Sequence, residues 1–384
     1  MDKVFKKIQK FYQINQNYIY LNNAGTTPIN NPAKNELNQY FEEYANHGIL
    51  NKKFNYFVIK DSIQTILAEL LNCEKKEIAI IHNTAEGMNL ISHGLDLKPE
   101  DEILLLENEY PSNVYPWQHW QAKGIHIHFV PICDTPADFL RALSVKISHK
   151  TKVLALSAVH WCTGMPLPLA EIAELCRQND VLLVVDGAQG VGHIKIDMKN
   201  WGLNLMAFSA WKWLLGPLGL GILIVRKEII SRIKHVFKGT LSVENAHSYL
   251  PYTDNIIENA ERYIYSTPNF SDWIYFNASL KMLQEIGFDN VKKRIFALSD
   301  YLYQGLKDLD FEITRTRYPE IKTGILCAKK NGMDSDKLVN DLRRENIITA
   351  HRLDHIRLSP HIYISEEQLD RVLIKIKKRL SCLS

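Results

Sequence analysis

The chain has 384 residues, 46% of them hydrophobic, enough to fill a large core and to expect more than one domain. Its 46 basic and 43 acidic residues leave a net charge of +3 with no basic stripe, which excludes the electrostatic footprint of a nucleic-acid binder. The six cysteines, at positions 73, 133, 162, 176, 327 and 382, show neither CxxC nor metal-ligand spacing, so no metal is expected. In chain order, the first ten residues are basic and lead into no apolar stretch, which predicts reduced thiols in a cytoplasmic protein. The longest apolar runs, such as 181–185 and 222–225, are too short to span a bilayer, so no membrane partner is expected.

From about residue 78 to 226, short apolar runs alternate with amphipathic stretches. Candidate strands are Ile78–His82, Ile103–Glu107, Ile125–Pro131, Val153–Val159, Val181–Asp186, Met206–Ser209 and Gly221–Val225. Helical patterns lie between several of them, at Asn113–Ala122, Ala137–Ile147 and Leu169–Gln178. Continuous apolar strands separated by helices predict an α/β fold with a mainly parallel seven-stranded sheet covered on both faces. After about 227 the rhythm changes to an aromatic-rich polar stretch and then to helices at 270–286, 289–309, 334–345 and 365–380. Two short strands, Gly324–Ala328 and Ile356–Leu358, fall among them. The expected organisation is a large domain over 18–250 and a smaller C-terminal α/β domain over 251–384, with residues 1–17 free to pack on either.

Ligands of open parallel sheets bind beyond the carboxyl ends of the strands. Three segments bring reactive groups there. The apolar run from Val181 ends in Asp186, which alone reads as readily as a turn or helix-cap residue. Lys212 lies between Trp211 and Trp213 with two leucines following, and a lysine in so apolar a run must snorkel, pair or lose its charge. Desolvation lowers a lysine's pKa and makes it the nucleophile that Schiff-base chemistry needs. The segment from Ile80 runs through Thr84 into a helix, whose free N–H groups and hydroxyl suit a phosphate or an ordinary N-cap. An amine for an aldehyde, a carboxylate for a pyridine nitrogen and a phosphate-binding helix start are together what pyridoxal 5′-phosphate (PLP) requires.

These motifs, in this order, resemble the class V aminotransferases of PLP fold type I, a family that includes cysteine desulfurases, kynureninases and isopenicillin N epimerase-like proteins. The resemblance runs from Tyr20–Pro28 through His82–Asn89, Glu109–Trp117, Val159–Gly164, Val185–Gly190, Ser209–Gly216 and Arg262–Asn269 to His355–Tyr363. It implies that Lys212 forms the Schiff base and moves the α-proton, and that Asp186 binds the pyridine nitrogen. It further implies that Gln189 meets the phenolic oxygen, that Thr84, the amide of Ala85 and Ser209 hold the phosphate, and that Tyr110 stacks on the ring. His160 or Trp161 would touch the ring edge. Arg357, with Asn23, would bind the carboxylate of a small amino acid, a task suited to a planar bidentate fork. Ser266 and Thr267 match a segment that reaches the partner subunit's phosphate in the family, which implies a homodimer with shared active sites.

Cysteine desulfurases usually carry His at the positions of Tyr110 and Trp211, and a nucleophilic cysteine on the loop before the carboxylate-binding arginine. Residues 347–357 contain no cysteine. The resemblance therefore implies first an enzyme of aminotransferase type. The alternative is a PLP-dependent C–S, C–Se or other β-eliminating lyase. A non-catalytic binding protein of the same fold is a third reading, and the presence of both Lys212 and Arg357 counts against it.

Overall fold

The computed structural model describes residues 2–50, 53–133, 135–244, 246, 248–314 and 322–381. Strand β1 (Ile19–Tyr20) lies outside the main sheet. That sheet is built from β2 (Ile78–Ile81), β3 (Glu102–Leu106), β4 (His126–Val130), β5 (Thr151–Ser157), β6 (Leu182–Asp186), β7 (Leu205–Ser209) and β8 (Gly221–Val225). All seven match the strands expected from the sequence to within two residues. Their order is β2-β8-β7-β6-β5-β3-β4. Every pairing is parallel except those of β8, which runs antiparallel to both neighbours. The four central strands β5 to β8 are almost entirely buried along their length, as a sheet covered on both faces requires.

A second sheet of four strands has the order β12-β13-β10-β9, from β9 (Glu312–Ile313), β10 (Leu326–Lys329), β12 (Ala350–Arg352) and β13 (His355–Leu358). The remaining strand, β11 (Ile347–Ile348), pairs in parallel with β1. The start of the chain is thus tied to the region of the second sheet: Leu21 N donates to Ile348 O and Asn23 N to Ser359 O. Tyr12 also stacks on Tyr363 with ring centroids 4.2 Å apart. Helices Asn31–His47 and Tyr56–Leu71, each capped by the side chain of an asparagine, pack against Phe270–Ile286. The stretch expected as one helix at Asn113–Ala122 is instead a short helix, Tyr115–Gln118, between two 3₁₀ turns. Pro111 and Pro116 cannot donate to a continuous ladder there. No helix among the described residues is long and apolar enough to cross a membrane, and no group of three or more potential metal ligands occurs among them.

Candidate active site

The carboxyl ends of β6 and β7 place Asp186 and Ser209 at one edge of the sheet, with Asp186 opposite Ala207, and Lys212 in the turn after β7 lines the same cavity. Helix Thr84–Gly94 starts against the same edge. Two glycines permit that approach. A Cβ on Gly87 would lie 2.6 Å from the Cβ of Ala207 in β7, and one on Gly221 would lie 2.8 Å from the backbone of Asn83. Asn83, rather than Thr84, caps the helix by accepting from Glu86 N, which leaves the Thr84 hydroxyl available. The result is a cavity of about 420 Å³. Thr84, Ala85, Tyr110, Asp186, Gln189, Ser209, Lys212 and Arg357 all line it. Eight of the twelve residues expected from the sequence therefore meet in one space.

Burial governs the electrostatics. Lys212 is 8% exposed, and its pKa is pushed down to about 8, first by burial and further by Arg357 and Arg352, against the pull of Asp186. The Asp186 carboxyl is pushed up by burial, which the amide of Ala188 and the charge of Lys212 partly offset. Its Oδ1 accepts from Ala188 N at 2.8 Å, so it serves the turn as well as facing the cavity. Arg357 is 2% exposed and forms no ion pair among the described residues. It donates to Trp161 O at 3.0 Å and to Asn22 Oδ1 at 3.4 Å, and its Nε has no acceptor. Burial lowers its pKa to about 10. A surface salt bridge does not account for this arginine. Tyr110 is exposed rather than packed in the core, with Lys212 Nζ 5.5 Å from its ring centroid. Gln189 is fixed at both ends, donating to Ala24 O and accepting from Trp213 Nε1.

Four expected residues lie elsewhere. His160 is buried behind the cavity, with its ring nitrogens facing Thr163 Oγ1 and Asn108 O. Burial holds its pKa near 4, and its neighbour Trp161 lines the cavity in its place. Asn23 is fully buried, donates to Lys212 O and accepts from Tyr363, so it supports the lysine's backbone while Asn22 reaches Arg357. Ser266 and Thr267 are exposed and line a separate cleft with His82 and Glu86. Upstream of Arg357, Arg352 lines the cavity, whereas His351 and His355 pair with Asp336 and Asp354. Sequence reasoning missed Ser157 and the carboxylate beneath it, Glu109, because both read as ordinary members of a strand and a turn.

The polar atoms left over fit PLP. The Ser209 hydroxyl is buried without a partner beside the start of helix Thr84–Gly94, a place suited to a phosphate. A buried lysine and a buried carboxylate complete it. The family model described as aminotransferase class-V matches residues 19–372. This chain belongs to that family. Its fold is PLP fold type I and its cofactor is PLP. A probable cysteine desulfurase of Pyrococcus abyssi is 28% identical, over 97% of this chain and 96% of the relative. An uncharacterized aminotransferase of Schizosaccharomyces pombe is 26% identical, over 98% and 95%. The solved complex between the cystine C–S lyase C-DES and its product cysteine persulfide is 26% identical with a TM-score of 0.84, over 94% of this chain and 97% of that one. The chain is a PLP-dependent class V enzyme.

Proposed function

We propose that this enzyme is a carbon–sulfur lyase that acts on a cysteine-type amino acid. The cavity's composition carries the reading: an amine, a carboxylate and an arginine converge there, and no cysteine lines it among the described residues. The thiols near Arg357, Cys162 and Cys327, are buried, which pushes their pKa values up to about 11 and about 12, so both keep their protons at neutral pH. A reaction that passes sulfur to a protein thiolate finds no support here. Elimination needs none: a cysteine derivative and water give a thiol or persulfide, pyruvate and ammonium. The likeness to the cystine lyase favours this alternative over the amino-group transfer expected first.

PLP, once bound, supplies an aldehyde for the substrate amine and a ring that draws electron density from Cα. Thr84, the Ala85 amide and Ser209 hold its phosphate. Asp186 would keep a proton on the ring nitrogen, Tyr110 would pack against the ring, and Gln189 has one amide hydrogen left for the ring oxygen. Arg357 holds the substrate carboxylate, whose burial alone would be costly. Lys212 Nζ, unprotonated above a pKa of about 8, takes the proton from Cα and returns it to the departing sulfur. Arg352 is a second cation for substrates with a second acid group, such as a disulfide-linked amino acid. The exposure of Ser266 and Thr267, outside their own chain's cavity, supports a homodimer in which they approach the partner's phosphate.

Holoenzyme incubated with L-cystine, L-cysteine and a panel of other amino acids tests the reading. Pyruvate, ammonium and reduced sulfur are expected in equal amounts from a sulfur amino acid. Pyridoxamine phosphate and an oxo acid, without pyruvate, would return the reaction to amino-group transfer.

A further inference from the structure

Glu109 is a buried acid that the chemistry above does not use. It lies in the turn after β3, is 6% exposed, and forms no ion pair with a cation among the described residues. Every contact it makes is with a donor. Its Oε1 accepts from Tyr110 N at 2.7 Å and from the Ser157 hydroxyl at 2.5 Å. Its Oε2 accepts from Ser157 N at 2.8 Å and, at 3.5 Å, from Asn113 Nδ2. Ser157 ends β5 directly opposite Asp186 in β6, and both line the cavity. Glu109 therefore stands one residue behind the carboxylate that faces the ring nitrogen and grips the main chain of the residue that stacks on the ring.

A neutral acceptor would serve these donors without burying a second acid beside Asp186, and that cost is large for an unpaired charge. Glutamine, like the protonated acid, would face Ser157 N–H or Tyr110 N–H with a donor, so it stands for the neutral form. We propose that Glu109 is a positioning residue for the cofactor: its carboxylate fixes Ser157 and Tyr110 around the ring and adds negative charge behind Asp186, favouring a protonated ring nitrogen. The titratable groups that face it are Asp186 from β6, Tyr110 beside it and Cys162 from the loop after β5. Burial, then the charge of Asp186, raises the Glu109 pKa to about 7 against the hydrogen bonds from Ser157 and Tyr110. Its charge is thus present above neutral pH and withdrawn below it.

The proposal rests on the cofactor and not on the reaction, so the test uses holoenzyme without substrate. Visible circular dichroism per bound cofactor is compared between wild type and Glu109→Gln from about pH 5.5 to about pH 8.5. The signals should converge at the acid end, where wild-type Glu109 is protonated, and differ by about twofold or more at the alkaline end. A merely structural role gives a pH-independent ratio, and that result, or identical spectra, overturns the proposal. Should Glu109→Gln fail to accumulate, Ser157→Ala removes the hydroxyl contact from the cavity side. A dichroism that departs from wild type near and above neutral pH and converges on it at the acid end, with unchanged PLP content, supports the proposal; a pH-independent ratio or a wild-type spectrum overturns it.

Discussion

Arg226 and Arg357 are both nearly removed from solvent, yet their surroundings differ in kind. Arg226, at the end of β8, donates to Glu77 Oε1 at 2.8 Å and to Glu228 Oε1 at 3.0 Å, so its charge is answered within the chain. Arg357, on β13, has a main-chain carbonyl, an amide oxygen and one idle N–H. A buried guanidinium without a counter-charge is expensive, and the contrast supports the proposed role of Arg357 as the anchor for a substrate carboxylate. The same contrast separates the floor of the cavity, where the buried Ser209 hydroxyl lacks a partner, from the asparagine-capped starts of helices Asn31–His47 and Tyr56–Leu71.

The sharpest way to break this comparison is to truncate both arginines. Arg226→Ala should lose about 3–5 kcal/mol of folding stability, because it strands buried Glu77, with kcat/KM of the folded fraction unchanged. Denaturant unfolding and kinetics on the same preparation check this. Arg357→Ala should do the reverse: kcat/KM on the best substrate should fall by roughly 2–5 kcal/mol of transition-state stabilisation, with PLP content and unfolding midpoint little changed. A drop under about 1 kcal/mol would remove the carboxylate anchor. Arg352→Gln should have a smaller effect, about 1–2 kcal/mol, confined to substrates with a second acid group. The ratio of kcat/KM for L-cystine and S-(methylthio)-L-cysteine, which share a disulfide, reads it directly. The mildest effect is on pH. Because burial lowers the Lys212 pKa to about 8, the neutral amine needed to attack an aldehyde is scarce below that pH and plentiful above it. The rate of PLP uptake by apoenzyme should therefore rise with pH and level off above about 8, as read from growth of the visible band.

The seven strands and the Lys212 and Asp186 positions were legible because each is announced locally: a buried parallel strand is a short apolar run, and a lysine between tryptophans is conspicuous. Arg357 was legible through its motif, but its lack of a counter-charge is a tertiary fact. Adjacent residues were the weak point. His160 and Trp161, like Asn22 and Asn23, differ by one step along the chain, and only the turn of the backbone decides which side chain meets the cavity. Glu109 and Ser157 were invisible for another reason. Their partnership joins a turn after β3 to the end of β5, 48 residues apart, and nothing local marks it.

The strut formed by residues 19–23 has a consequence for synthesis on the ribosome. β1 emerges early, but its partner β11 is translated about 330 residues later, as are Ser359, which accepts from Asn23 N, and Arg357, which Asn22 contacts. At ~5–20 residues per second the exposed segment waits roughly 15 to 65 s for its mate. The large sheet is complete by residue 225, well before that, so the nascent chain carries all seven of its strands while Asn23, which donates to Lys212 O, still lacks its own partners Ser359 and Tyr363. Folding competence and cofactor competence are therefore reached at different chain lengths, and a stalled nascent chain ending near residue 330 should protect its central strands from protease while failing to retain PLP.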